Sequence, residues 1–225
     1  MRVARLISLL LAVMTAPLAF LIAAPLALLT AAPLVFLTAA PLAWAADVAH
    51  ITGLKGQALA GGQTLTLGDG VTTGTRLTTG DDARVRLSFI DGTEITLGKD
   101  ADFTVDVFRF DPAQASGQAL LRVDSGAFLV TTGAVGHLPD HPLTLKTPLA
   151  SIGVRGTRFW GGSLQNPLDV LLLAGAVTVR STAGGVDLDE PGQGTDIKAA
   201  GQAPTPVARW SQARIDAALN SVRLD

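Results

Sequence analysis

From Val48 to about Ala199 the chain alternates short apolar runs with clusters of Gly, Asp and Thr, and almost nothing repeats with the 3.6-residue period of a helix. Alternation every second residue puts apolar side chains on one face of a strand, so the pattern predicts an all-β body. Val85, Leu87 and Phe89 alternate with Arg84, Arg86 and Ser88; beyond Asp91-Gly92, Ile95 and Leu97 alternate with Glu94 and Thr96. Opposed residues in an antiparallel pair share a face, which decides the register. A two-residue turn would set Phe89 against Glu94, whereas a three-residue loop of Ile90, Asp91 and Gly92 pairs Phe89 with Thr93, Leu87 with Ile95 and Val85 with Leu97. It also places Gly92 at the left-handed third position of the turn. The same test at Asp124-Ser125-Gly126 predicts a second hairpin, with Val123 against Ala127, Leu121 against Leu129 and Gly126 third. A third is predicted in "VLLLAGAVTV", where a turn at Ala174-Gly175 joins Leu172 to Val177 and Val170 to Val179.

Further strands are predicted at Val48 to Thr52, Gln63 to Leu67, Asp102 to Phe110, Leu143 to Thr147 and Ser151 to Trp160. Phe103, Val105 and Val107 make a core face, but Phe108 and Phe110 fall on opposite parity to it, which signals a bulge or burial on both sides. A ladder of short antiparallel hairpins suits a compact β-roll, a β-helix-like stack or a sandwich. Near the end, Thr205-Pro206 reads as N-cap and first turn, and Ile215, Ala218, Leu219 and Val222 form one apolar stripe, predicting a short C-terminal α-helix from about Pro206 to Val222. Gly184 to Pro204 reads as a last edge strand followed by a linker.

The first 45 residues follow different rules. After Met1 to Arg5 no charge occurs until Asp47, and Ala43-Trp44-Ala45 offers the small-x-small pattern of a cleavage site, so residues 1–45 read as an export signal cut after Ala45, with Ala46 as a near alternative. Its length comes from octads, "TAPLAFLI", "AAPLALLT", "AAPLVFLT" and "AAPLAWAA", with Pro17, Pro25, Pro33 and Pro41 in phase. An uncharged run this long also exceeds the ~20 residues needed to span a bilayer, so an uncleaved inner-membrane anchor is the competing reading. The prolines and the cleavage motif favour removal. The expected division is thus 1–45 leader, 46–199 β domain and 200–225 linker and helix, with the body in the periplasm.

Composition then removes several classes of function. The leader holds two of the 17 basic residues and none of the 19 acidic ones, leaving the body at about −4, with no electrostatic attraction to nucleic acid; membrane contact is expected only if the leader is retained. Cysteine is absent, which excludes disulfides, thiolate metal sites and a lipid anchor on cysteine. His137 and His141 are separated by Pro139 and followed by Pro142, so they cannot share a helix face as a zinc-binding pair, and no metal or cofactor is expected. Paired carboxylates at Asp81-Asp82 and at Asp187, Asp189 and Glu190 read as solvated turns without calcium-loop spacing. No Ser, His and acid set with a nucleophile-elbow motif occurs, so no catalytic residue is assigned and the protein reads as a non-enzyme.

The stretch "TPLASIGVRGTRFWGG", Thr147 to Gly162, sets two arginines among glycines and apolar residues. Together with "TRLTTGDDARVRLSFIDGTEITLG", "LRVDSGAFLV" and "VLLLAGAVTV", in that order, it resembles the FecR domain family over roughly Thr72 to Arg180. The signature positions are Thr147, Pro148, Val154, Arg155, Gly156, Thr157 and Phe159, with turn glycines at Gly92, Gly126 and Gly175. The resemblance implies an all-β extracytoplasmic module. Its best-known members relay a signal by protein contact from an outer-membrane receptor to a cytoplasmic sigma factor and carry a cytoplasmic segment before a membrane span. Only about five residues precede the apolar run here. The expected function is therefore non-enzymatic binding of an unidentified envelope protein, in signalling or scaffolding; the alternative is a module that binds envelope polysaccharide or plays a structural part. For Arg155 the favoured reading is a clasp, its donors on backbone carbonyls and a carboxylate. Arg158 and Trp160 are the expected partner-binding pair.

Overall fold

In the computed structural model, residues 46–140 and 142–225 are described; the leader, its octads, the Ala43-Trp44-Ala45 motif and His141 lie outside them. The alternating body forms one all-β, sixteen-stranded sheet, with one short C-terminal helix among the described residues. The strands are β1 (Asp47–Lys55), β2 (Ala58–Ala60), β3 (Gln63–Thr64), β4 (Gly70–Thr72), β5 (Arg76–Thr79), β6 (Arg84–Phe89), β7 (Glu94–Leu97) and β8 (Asp102–Asp111). They continue as β9 (Ser116–Ser125), β10 (Phe128–Thr131), β11 (Leu143–Lys146), β12 (Ser151–Gly162), β13 (Leu168–Ser181), β14 (Gly184–Leu188), β15 (Gln193–Ile197) and β16 (Ala208–Arg209). Helix α1 covers Gln212–Asn220.

The two longest strands organise the rest. β12 and β13 pair antiparallel from Ser151 opposite Arg180 to Gly162 opposite Asp169. Along its other edge, β12 takes β11 on its first half, with Leu145 opposite Ile152, and β10 on its second, with Val130 opposite Phe159. Two wings diverge from that division: β11, β9, β8, β5, β2 and β3 on one side, and β10, β7, β6, β1 and β4 on the other. β13 is divided likewise, with β14 on its C-terminal half and β15, followed by β16, on its N-terminal half. The sheet curls as a half-barrel, so the wings face each other. Phe89 of β6 meets Phe108 of β8 with ring centroids 4.8 Å apart. One core holds Leu87, Ile95 and Phe128 of one wing with Phe103, Leu121 and Leu145 of the other, and Ile152 and Phe159 of β12 between them, each side chain stabilising by roughly 1.5–3 kcal/mol.

The first predicted hairpin is present in the expected register, Leu87 opposite Ile95 and Val85 opposite Leu97, with Gly92 at φ 85°. The bulge in β8 is also present, between Val105 and Val107. The other two hairpins are not. After Gly126 the chain crosses from one wing to the other: Gly98 N–H donates to the Ala127 carbonyl, and Phe128 lies opposite Leu97 and Gly161. Gly126 has a positive φ, as a turn requires, but a Cβ on it would strike Ala101 of the preceding connection. At Ala174-Gly175 there is no turn; β13 runs straight through, with Leu172 opposite Phe159 and Val177 opposite Val154. Matched parity identifies residues that face one core and does not name the strand that pairs with them.

The C-terminal prediction needs two corrections. Thr205 does not cap the helix, because its hydroxyl accepts from Asp196 N–H at 3.0 Å and its carbonyl from the Thr195 hydroxyl at 2.7 Å, which ties it to β15. Ser211 caps instead, so α1 begins at Gln212 and not near Pro206, and Ala208–Arg209 form β16 in the segment expected to be helical. α1 then lies on the outer face of the β10 wing, closing a second cluster of Trp160, Leu171, Trp210, Ala218 and Val222. Trp160 Nε1 donates to Ser221 Oγ at 3.0 Å. The helix is further held by Arg214, which donates to Asp169 at 3.1 Å and Asp196 at 2.6 Å and lies 3.7 Å over the Trp210 ring. Burial pushes the Asp169 carboxyl up, but the N–H groups of Gln165, Leu164 and Asn166 and the Asn166 side chain outweigh it and hold the group below its ordinary range. Burial holds Asp196 above its ordinary value although Arg214 pulls it down, and the adjacent Asp169 adds to the rise.

Candidate functional site

The signature strand bends where its partners change. Register shifts at Arg155–Arg158 mark a bulge in β12, and here Gly156 (φ 55°) and Gly175 (φ 79°) bring the backbones of β12 and β13 together. A Cβ on Gly175 would collide with the Gly156 carbonyl and the Thr157 Cα, so glycine at 175 serves this approach. Thr157, 3% exposed, is the clasp at the bend: its hydroxyl donates to the Ala176 carbonyl at 2.7 Å and accepts from Arg155 N–H at 3.1 Å. Thr157 N–H donates to Thr132 Oγ1 at 2.7 Å, and Thr132 N–H returns a bond to the Thr157 carbonyl at 3.0 Å. Next along, the buried Asp91 accepts from Thr93 N–H and Oγ1, each at 2.8 Å, and from Val135 N–H at 3.0 Å, while Gly133 N–H donates to Thr93 Oγ1. "DGT" and "VRGT" thus fasten the same corner. Sequence reasoning read Asp91 only as a turn residue; the signal available was its offset of two from Thr93, the spacing of an Asx turn.

The clasp predicted for Arg155 is not formed. Its side chain is exposed and has no hydrogen-bond or ion-pair partner among the described residues, because the bulge turns Thr157 inward and gives it that role. Arg158 and Trp160 both belong to the outer side of β12, yet they part company. Arg158 is exposed in a shallow groove with Arg86, Glu94 and Thr131, whereas Trp160 is fully buried under α1 and packs edge to face against Trp210 at 6.2 Å. Trp160 therefore offers no contact surface to a partner. The two tryptophans that a glycan platform would use are both buried. Val154 and Phe159 point into the core.

Thr147 and Pro148 form a second feature, at the turn between β11 and β12. Thr147 Oγ1 accepts from Ala150 N–H at 3.0 Å and Leu149 N–H at 3.3 Å, holding the turn so that Pro148 stands exposed. On one side of it opens an apolar recess of about 360 Å³ bounded by Val123, Gly126, Phe128, Leu149, Pro167 and Leu168. On its other side, Ser151, Arg180 and Thr182 line a shallow shelf. The structure thus brings together Thr147, Pro148 and Gly126 around the recess, and Gly156, Thr157 and Gly175 at the bend. Gly92 lies at the far end of the Asp91 corner.

Residues 75–178 match the model of the FecR protein family. The chain carries a FecR domain. Two crystal structures of a candidate anti-sigma factor from Parabacteroides distasonis, at 1.65 and 2.50 Å resolution, share its fold with a TM-score of 0.50 and 15% sequence identity. The likeness covers 64% of this chain and 64% and 63% of those chains. Comparison with curated proteins gives no match. Both the bend and the recess lie inside the FecR domain, whereas α1 lies beyond it and reaches back to it through the Arg214–Asp169 pair. The hydroxyls and carboxylate of the bend are bonded to one another and to backbone, so that corner stabilises; the recess and shelf present apolar surface and donors suited to binding.

Proposed function

We propose that this chain is an exported, non-enzymatic FecR-domain protein that acts in envelope signalling by binding another protein in the periplasm. The observation that carries the reading is the family match over residues 75–178, and the anti-sigma assignment of its structural neighbours agrees with a regulatory role. The apolar recess beside an exposed Pro148 supports recognition over turnover, since apolar area of that kind contributes to association. Export rests on the basic start at Arg2 and Arg5, the uncharged run that follows it and the Ala43-Trp44-Ala45 motif. Crosslinking in intact envelopes followed by mass spectrometry tests the proposal, with the mature N-terminus read from the same sample. The expected result is an N-terminus at Ala46 in the periplasmic fraction and a defined envelope protein joined to the FecR domain. An uncleaved cytoplasmic product, or only random crosslinks, would refute it.

A further inference from the structure

We infer that the Thr147–Ala150 turn is a two-part docking site for an extended protein segment that carries an aliphatic side chain next to an acidic one. This rests on the protein-binding reading above and names the chemistry of the partner. Recess and shelf share Thr147, Pro148 and Leu149, so one short segment crossing the turn touches both. The recess takes the aliphatic group, with Phe128, Leu168 and Val123 as buried walls and Pro148 and Pro167 as its exposed rim.

The shelf supplies the charge. Strand register sets Lys146 opposite Ser151, and Ser151 opposite Arg180, so two cations of one face stand two strand spacings apart, roughly 10 Å, with a serine hydroxyl between them. All three are exposed. Neither Lys146 nor Arg180 has an ion-pair partner among the described residues, whereas Arg122, opposite Lys146 on β9, holds Asp106 and Asp124, and Arg76 on β5 holds Asp102. Glycine at 185, opposite Arg180, leaves room for that side chain, whose Nη1 would lie 2.8 Å from a Cβ at 185. Asp124 stands at the recess, so a continuous anionic surface such as a lipid bilayer would bring negative charge against a carboxylate there. A segment with a single acidic residue avoids this conflict and still pairs with the cations.

The test uses the protein purified from the envelope and a set of short, blocked, dye-labelled Gly-Ser peptides carrying one Glu and one Leu at varied spacing. Matched sets replace Glu by Lys, or Leu by Ser. Fluorescence anisotropy and backbone-amide NMR should show saturable binding by some Glu-Leu peptides, with shifts confined to residues 123–128, 146–151 and 180–182. K146E/R180E, checked for an unchanged melting temperature, should weaken it by about tenfold or more, and Leu149→Asp should do the same, while Arg158→Glu on the other face should not. No binding by any Glu-Leu peptide, equal binding by the Lys-Leu set, binding only to phosphatidylglycerol vesicles, or indifference to K146E/R180E would each overturn the site. A photocrosslinker placed at Leu149 and, separately, at Thr131 separates the two levels of inference. A defined envelope protein captured only from Thr131 leaves the protein-binding reading standing without this site. Capture from neither position removes both.

Discussion

On the outer face of the β10 wing, the cross-strand row Arg86, Thr96, Leu129, Trp160 and Leu171 lies where α1 and the C-terminal tail cross the sheet; on the outer face of the β11 wing, the row Arg122, Lys146, Ser151 and Arg180 carries no such cover. Both rows are built by the same alternation and differ in what the outward positions hold. The first contains a tryptophan and leucines, which cost free energy in water and recruit a helix. The second contains charges that remain solvated without cover. A face that is already covered is committed to stability, so recognition is expected on the bare one.

The sharpest way to break this comparison is to uncover the first face. Trp160→Ala removes a fully buried side chain and its bond to Ser221, and should cost about 3–5 kcal/mol. Truncation before Trp210 should lower the melting temperature by a comparable margin and increase binding of an apolar dye. An unchanged melt after truncation would mean that the helix only decorates the sheet, and the two faces would no longer differ in role.

Arg214 comes next. Arg214→Met leaves the fully buried Asp169 facing Asp196 without their shared cation, an arrangement whose breakage typically costs about 3–5 kcal/mol. The two carboxylates respond oppositely to pH. Asp169, held below 3.8, contributes stability that is present above that pH and lost as pH falls through its folded value. Asp196, held above 3.8, contributes stability present below that pH and lost as pH rises through its folded value. Asp196→Asn removes the second effect and leaves Arg214 paired with the Asp169 carboxylate. The variant should therefore gain stability over the parent at pH 7 and lose that advantage near pH 3, a comparison that paired thermal melts at the two values will decide.

These elements show how far the sequence carried. Two-residue alternation identified the all-β class, most strands and the Gly92 hairpin, because those depend on contacts close in sequence. The crossing after Gly126 and the uninterrupted β13 were not legible, since the glycine at each place answers to a distant backbone, Ala101 in one case and Gly156 in the other. Thr205 misled for the same reason, being held by β15. The recess has walls from three loops remote in sequence, and only Thr147, Pro148 and Gly126 among them stood out beforehand.

Thr157→Val should have an intermediate effect, about 1–3 kcal/mol, because it removes the hydroxyl from the bend and leaves the Ala176 carbonyl without that donor. Denaturant unfolding would measure this, and a loss below the error of the method would show that the glycines alone hold the corner.

The smallest effect is expected at the residue the sequence made most conspicuous. Arg155 sits beside that clasp, but its guanidinium projects into solvent, and the bend is fastened by Thr157, Thr132 and Asp91. Arg155→Ala should therefore change stability by no more than about 0.5 kcal/mol, as should Arg158→Ala, whose side chain is equally exposed. The pair also sharpens the comparison of faces. Arg155 belongs to the bare side of β12, and Arg158, beyond the bulge, to the side that α1 partly covers. If recognition follows the bare face, Arg155→Glu should weaken partner crosslinking from Leu149 more than Arg158→Glu does, with both variants melting like the parent. The reverse order would place recognition on the helix-covered wing instead.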